Sequence, residues 1–141
     1  MQILLVQSDA EIDRCFPAMA QLRPELPHET FVERVRRQML DGYQMAYIAV
    51  DGTVIVVAGF RLGESLPWGR HVYVDDLVTD ANHRSAGHGQ RMFDWLVDYA
   101  RRNGCESLHL ESGVQRFDAH RFYLRNRMRI TSHHFALGLG G

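Results

Sequence analysis

The feature that most constrains the fold is a strand that passes through a glycine-containing loop directly into an amphipathic helix. Residues 71–79 are rich in valine and alternate in character, which is typical of a β-strand. The loop at 84–89 follows, and the next helix carries Met92, Phe93 and Leu96 on one face. This succession predicts an α/β fold and draws attention to the loop.

The loop, with the sequence Arg84-Ser85-Ala86-Gly87-His88-Gly89, is suited to binding an anion. Residues without a Cβ let backbone N–H groups converge, the helix N-terminus adds roughly half a positive charge, and Arg84 supplies a cation. The spacing is neither G-x-G-x-x-G nor G-x-x-x-x-G-K-[ST], so the Rossmann and P-loop interpretations fail. Taken alone, the glycine pair also fits a tight strand-to-helix turn.

The hydrophobic pattern predicts the remaining elements. The Asp51-Gly52 pair between two β-branched runs predicts a hairpin, whereas Pro24 and Pro27 end the first helical pattern. The predicted order is β-α-α-β-β-β-α-β-α-β in a single domain spanning 1–141. Besides the strand and helix described above, it comprises strands at 2–7, 44–50, 53–62, 106–111 and 129–137, and helices over 28–40 and 118–126. A further helix begins after the N-cap candidate Ser8-Asp9 and carries Ile12, Phe16, Met19 and Ala20 on one face.

Composition excludes several classes of protein. Lys and Arg number 16 against 17 Asp and Glu, a formal charge of −1 that argues against a nucleic-acid binder. Cys15 and Cys105 form no CxxC pair and the eight histidines form no HExxH motif, so we expect no metal. The first residues lack a basic region, and no apolar run approaches the ~18 residues of a membrane span. We therefore expect a cytoplasmic protein that binds neither membrane nor nucleic acid.

Two segments together resemble a known family. One is LVTDANHRSAGHGQRMFDWL, with R-x-x-G-x-G at the start of a helix, and the other is HRFYLRNRMRITSHHFAL, with Ala119, Phe122 and Tyr123. They are similar to the core and closing motifs of the GNAT superfamily of acyl-CoA-dependent N-acetyltransferases. The resemblance implies a single domain with a mixed, mostly antiparallel sheet flanked by helices. It also implies transfer of an acetyl group from acetyl-CoA to a primary amine by direct attack in a ternary complex.

The resemblance further implies where acetyl-CoA binds. The pantetheine arm would pair with the strand before the loop, the pyrophosphate would lie on the loop and helix start, and the acetyl end would lie near a serine and a glycine after the next strand. In that order, the implied residues are Leu77, Val78 and Thr79, then Arg84, Ser85, Ala86, Gly87, His88, Gly89 and Gln90, then Ser112 and Gly113.

Tyr123 and Asp75 are the candidate catalytic residues. Tyr123 resembles the tyrosine that protonates the departing CoA thiolate, and a phenol with a reference pKa near 10 is protonated at pH 7. For the base, strand alternation groups Asp75 with Tyr73 and Leu77. It groups the neighbouring Asp76 with Val72, Val74 and Val78, where a carboxylate more plausibly caps a buried turn or helix. Asp75 is therefore favoured, with Asp76 and a water path left open.

Two positions depart from the family pattern. Arg127 stands where glycine is common, so either Asn126 supplies a left-handed turn or the loop has another shape. Arg116 stands where many members carry asparagine.

The residues expected around the acceptor amine lie at 22–29, at 63–70 and near Arg127. They include acidic, basic and aromatic side chains alike, so they do not identify the amine. A non-catalytic acyl-CoA-binding or sensing domain remains the alternative function, and the resemblance implies a possible homodimer through the last strands.

Overall fold

The computed structural model describes residues 2–141, and the chain divides into two compact units, Met1–His109 and Leu110–Gly141. A mixed α/β architecture contains a five-stranded sheet in the order β1-β2-β3-β4-β5, in which β1 to β4 pair antiparallel. The fold class predicted from the sequence is confirmed. The strands are β1 (Ile3–Leu5), β2 (Tyr43–Val50), β3 (Thr53–Ser65), β4 (Gly69–Thr79) and β5 (Ser107–Leu110).

Helices cover both faces of the sheet in the first unit. On one face, buried side chains of the three N-terminal helices pack against Tyr43, Met45 and Val57. On the other face, Phe60 makes edge-on contacts with Trp95 and Tyr99 of the long helix after the loop. The helices are α1 (Asp9–Arg14), α2 (Phe16–Leu22), α3 (Phe31–Met39), α4 (His88–Arg102) and, in the second unit, α5 (Phe117–Arg125).

The first predicted helix is two helices in the structure. They meet at Cys15, which ends α1 and precedes α2, and Pro17 lies in the first turn of α2. Proline has no N–H to donate and its ring fits a helix start rather than an interior, so the helical pattern restarts there.

The predicted last strand, Arg129–Leu137, is wrong: residues 127–141 contain no helix or strand. Ile130, Phe135 and Leu137 are exposed at 77%, 90% and 85%, and the described backbone from 129 onward makes no backbone hydrogen bond. An apolar run becomes a strand only beside a partner backbone that satisfies its N–H and C=O groups. The sequence pattern is therefore strand-like, but nothing in the described chain pairs with it.

Candidate active site

A β-bulge near the middle of β4 determines the geometry of the two aspartates. Gly59 of β3 lies opposite Asp76, and the next residue, Phe60, lies opposite Val74, so Asp75 is the extra residue. Asp75 and Asp76 consequently project to the same face of the sheet, where they contact Arg61 and Tyr43 respectively. The alternation predicted from the sequence is wrong at this point, because a bulge resets the period of two.

The bulge also regroups the neighbouring residues of β4. Past it, Val78 shares a face with Asp76, whereas Val72 and Val74 do not. Leu77, opposite Ala58, no longer shares the face of Asp75.

Asp76 is held by two side chains. The Tyr43 hydroxyl donates to its Oδ2 at 2.7 Å, and Arg23, just after α2, contacts its Oδ1 at 2.9 Å. Gly59 makes room for this contact, since a Cβ there would overlap the Tyr43 hydroxyl. Burial, followed by the charge of Asp76, raises the pKa of Tyr43 well above its usual value. Asp76 is thus a satisfied carboxylate, in line with the structural role considered for it.

Asp75 has an open acceptor atom. Arg61 donates from Nε to Oδ2 at 3.1 Å, whereas Oδ1 is buried without a hydrogen-bond partner among the described residues. Burial raises the pKa of Asp75 and the Arg61 guanidinium opposes that rise. A half-buried carboxylate with a raised pKa and an unused oxygen has the properties of a general base.

Helix α2 also fixes the end of β4. The Gln21 amide donates to Asp80 Oδ1 at 2.6 Å, and its oxygen accepts from the Ala81 N–H at 2.9 Å. Asp80 in turn accepts from the Asn82 N–H at 3.0 Å and contacts His83 at 2.9 Å. These contacts hold the segment between Thr79 and Arg84, so the loop leaves the strand in a defined direction.

The loop owes its shape to backbone conformation. Ser85 and Gly87 have φ of 69° and 85°, both left-handed, and Gly87 is the N-cap of α4. Glycine has no side chain with which to cap the helix, and a Cβ added to Gly87 would meet nothing within 4 Å. A Cβ on Gly89 would lie 3.0 Å from Thr79 Oγ1, so this glycine allows the helix to approach β4 closely.

These residues fit a bound phosphate. Left-handed residues around a helix start turn successive N–H groups toward one point, where the helix dipole favours negative charge. His88 Nδ1 is buried without a hydrogen-bond partner in the described chain, which leaves a polar atom for a ligand. Among the predicted phosphate-binding residues, Gln90 uses its side-chain amide to bind Asp94 at 2.9 Å. Leu77, Val78 and Thr79 lead into the loop and pair on one side with Ala58, Val57 and Val56.

The second unit holds the other predicted residues. Ser112 Oγ is buried without a partner among the described residues, and the Gly113 carbonyl accepts from His120 Nε2 at 2.8 Å and from the Arg116 N–H at 3.0 Å. Tyr123 lies in α5. Burial raises the pKa of Tyr123, while the charge of Arg116 lowers it, so the phenol keeps its proton at neutral pH. Arg116 thus acts on the electrostatics of Tyr123.

Arg127 adopts the glycine-like conformation itself. Its φ is 68°, whereas that of Asn126 is −88°, so the alternative in which Asn126 makes the left-handed turn is wrong. The Arg127 N–H bonds the Leu124 carbonyl at 3.0 Å, and the Met128 N–H bonds the Tyr123 carbonyl at 3.1 Å. This is the Schellman arrangement at a helix C-terminus, here built with arginine in place of glycine.

Sequence reasoning missed the side chains around the aspartates, namely Arg23, Gln38, Tyr43 and Arg61. They come from four different segments of the chain, and nothing in their spacing along the chain brings them together. One signal was present: a glycine inside an apolar strand, as at Gly59, often marks a bulge or a close approach.

The chain belongs to the acetyltransferase (GNAT) family, whose model matches residues 10–127. It is 37% identical over 117 residues to the N-acetyltransferase YhdJ of Bacillus subtilis, covering 82% of each chain. It is 26% identical over 120 residues to the aminoalkylphosphonate N-acetyltransferase of Salmonella typhimurium, covering 84% of this chain and 78% of that one. Among solved structures, a ribosomal-protein-alanine N-acetyltransferase from Brucella melitensis biovar Abortus has a TM-score of 0.84 at 18% identity, covering 99% and 100% of the chains.

Within residues 2–141, no group of three or more His, Cys, Asp or Glu side chains is arranged to hold a metal ion. In the same range, no helix is long and apolar enough to cross a membrane. Family membership makes the protein an acyltransferase.

Proposed function

We propose that the protein transfers an acetyl group from acetyl-CoA to the primary amine of a small molecule or peptide, by direct attack in a ternary complex. The observation that carries this proposal is the loop at the end of β4, in which Ser85 and Gly87 are left-handed and α4 starts at once. Acetyl-CoA supplies the activated acetyl group and carries phosphates that suit this loop. The family supports the reaction class.

Cofactor binding is proposed at the residues that the motif implies. Arg84, Ser85, Ala86, Gly87, His88, Gly89 and Gln90 would hold the pyrophosphate, and the backbone of Leu77, Val78 and Thr79 would hold the pantetheine arm. Ser112 and Gly113 are proposed near the acetyl group. His88 Nδ1 and Ser112 Oγ, which have no hydrogen-bond partner among residues 2–141, support these assignments, because buried polar atoms are normally satisfied and a ligand would satisfy them.

The proposed chemistry uses one base and one acid. Asp75 takes a proton from the acceptor ammonium at Oδ1, and the neutral nitrogen then forms a bond to the acetyl carbonyl carbon while the carbon–sulfur bond breaks. Tyr123 gives its phenolic proton to the departing sulfur. The acylated nitrogen still carries two protons and loses one of them to solvent. Solvent also returns the proton from Asp75 to Tyr123, so the net products are an N-acetylated amine, free CoA and one proton.

The identity of the acceptor is tested by incubating the protein and acetyl-CoA with a panel of amines and measuring the release of the CoA thiol. Aminoalkylphosphonates enter the panel because a relative carries that activity in its name, together with polyamines, aminoglycosides, amino acids and peptide N-termini. The chain contains 16 arginines and no lysine. Acetylation of its own lysines therefore cannot contribute to the background without acceptor.

Tyr123→Phe separates an enzyme from a binding domain. We expect affinity for acetyl-CoA to stay within a few-fold and kcat to fall about 10²-fold, because the lost proton is used only when the thiolate leaves. Phe122→Leu, on the same helix, is the control for packing. Full turnover in Tyr123→Phe would remove the acid role, and tight CoA binding without turnover on any amine would favour a sensor.

A homodimer is proposed through the segment 129–139. Its side chains Ile130, Phe135, Leu137 and Leu139 are between 77% and 90% exposed, and its backbone is free to pair with a strand of a second copy. Light scattering should show a dimer for the full chain and a monomer after deletion of 129–141. A full-length monomer at micromolar concentration would contradict the proposal.

A further inference from the structure

Arg61 makes three contacts that fix its guanidinium beside Asp75. Its Nε donates to Asp75 Oδ2 at 3.1 Å, and its Nη2 donates to Gln38 Oε1 of α3 at 3.4 Å. Its guanidinium carbon lies 5.3 Å from the centre of the Tyr43 ring in β2. Three elements other than its own strand therefore hold one side chain, which is more than an exposed ion pair needs.

The contact to Asp75 is one-sided. Arg61 uses Nε toward the carboxylate and turns Nη2 toward Gln38, so only Oδ2 is bonded. The second oxygen, Oδ1, is buried and has no partner among the described residues. A bidentate arrangement would have occupied both oxygens. The observed geometry instead fixes the carboxylate through one oxygen and leaves the other unused.

The other charges near Asp75 do not replace Arg61. Arg23 binds the Asp76 carboxylate and the backbone carbonyl of Asp75, at 2.9 Å in each case. Asp76 is negative and Tyr43 is a neutral phenol whose proton is directed at Asp76. Burial and Asp76 raise the pKa of Asp75, whereas Arg61, more than Arg23, lowers it. Without Arg61, Asp75 would therefore stay protonated up to a higher pH than in the wild type.

We propose that Arg61 is a positioning residue, which holds Asp75 by Oδ2 and presents Oδ1 to the ammonium group of the acceptor. The inference rests on the proposed function and extends it to a residue outside the two segments that resemble the family motifs. Arg61 does not touch the reacting atoms. It keeps Asp75 ionised and holds its carboxylate in the orientation that directs Oδ1 toward the acceptor.

The first test is the pH dependence of kcat/KM in Arg61→Met and Arg61→Lys. A rate that needs ionised Asp75 falls below the pKa of that group, so loss of the cation moves the acidic limb to higher pH, by about one unit for a charge at this distance. Arg61→Lys should keep the limb near its wild-type position. It should still lower kcat about tenfold, because one ammonium cannot reach both Asp75 and Gln38.

Arg37→Met is the matched control, since Arg37 of α3 forms an exposed ion pair with Glu33 at 3.1 Å. It should leave the pH profile unchanged. An unshifted acidic limb and unchanged kcat/KM in a folded Arg61→Met variant would overturn the inference while leaving the proposed function intact.

A second measurement does not depend on turnover. The side-chain carboxyl of Asp75 can be titrated by carbon NMR, with Asp75→Asn used to assign its signal, and its pKa should be higher in Arg61→Met than in the wild type. An equal pKa in the two proteins would contradict the coupling. Absence of wild-type turnover on every amine, with the NMR shift present, would instead place the failure in the proposed function.

Discussion

The bulge in β4 and the loop that follows this strand are shaped in different ways. Around the bulge, Asp75 and Asp76 are held by side chains from β2, β3 and the residue that follows α2. At the end of the strand, the loop is shaped by backbone conformation, with Ser85 and Gly87 left-handed. One region places charged atoms and the other places N–H groups.

This difference indicates which substitutions the bulge and the loop each tolerate. In the bulge, two arginines face two carboxylates, so the charges compensate locally and removal of one member leaves its partner unpaired and partly buried. In the loop, most of the groups proposed to hold the phosphate are backbone N–H groups, so the conformation should matter more than the identity of most side chains. The following substitutions test this contrast.

The largest effect is expected from Asp75→Asn, which keeps the shape of the side chain and removes the proposed base. We expect kcat/KM to fall by about 10²–10⁴-fold with unchanged CoA affinity, measured by steady-state kinetics and calorimetry. Asp76→Asn is the control and should cost about 1–3 kcal/mol of stability with a kcat within a few-fold of wild type. The reverse pattern would make Asp76 the base.

Gly59→Ala should break the bulge region through packing. The new Cβ would overlap the Tyr43 hydroxyl and approach Asp76 Oδ2 to 2.7 Å, so we expect a loss of about 2–4 kcal/mol in the free energy of unfolding by urea. Gly63→Ala, in the same strand, meets His71 Nε2 only at 3.3 Å and should cost less. Equal losses for the two variants would show that the space at Gly59 is not what matters.

Gly87→Ala should weaken CoA binding through strain alone. At φ of 85° the added Cβ has open space but a disfavoured backbone, so we expect an affinity loss of about 1–3 kcal/mol as the loop relaxes. Gly52→Ala in the β2–β3 turn, at φ of 82°, carries the same strain away from the loop. It should lower stability similarly and leave the CoA dissociation constant unchanged; a similar fall in affinity would rule out a local cause.

The smallest effect is expected from Arg127→Gly. The arginine is left-handed at φ of 68°, a conformation that costs a residue with a Cβ about 1–2 kcal/mol and glycine little. Part of this gain is lost to the greater freedom of glycine in the unfolded chain. We expect a rise of about 1 kcal/mol or less in the stability of α5, read by hydrogen exchange of its amides. Any loss of protection would indicate that the arginine side chain itself stabilises the turn.

The sequence by itself determined the elements whose signals are local. The Asp51-Gly52 hairpin, the amphipathic helix α4 and the turn that leads into this helix could all be predicted, since each depends on residues close together in the chain. A left-handed turn at a helix start needs glycine or a small residue at a given place, and that requirement is visible in the sequence.

Only the tertiary structure decided that Asp76 shares a face with Asp75 and what holds the two carboxylates. The bulge depends on the register between β3 and β4, and Arg23, Gln38, Tyr43 and Arg61 meet the aspartates only when α2, α3 and β2 pack around them. The same physical reason accounts for the missing last strand. A strand forms by hydrogen bonding to another backbone, so residues 129–137 carry the side-chain pattern of a strand without the partner that would make them one.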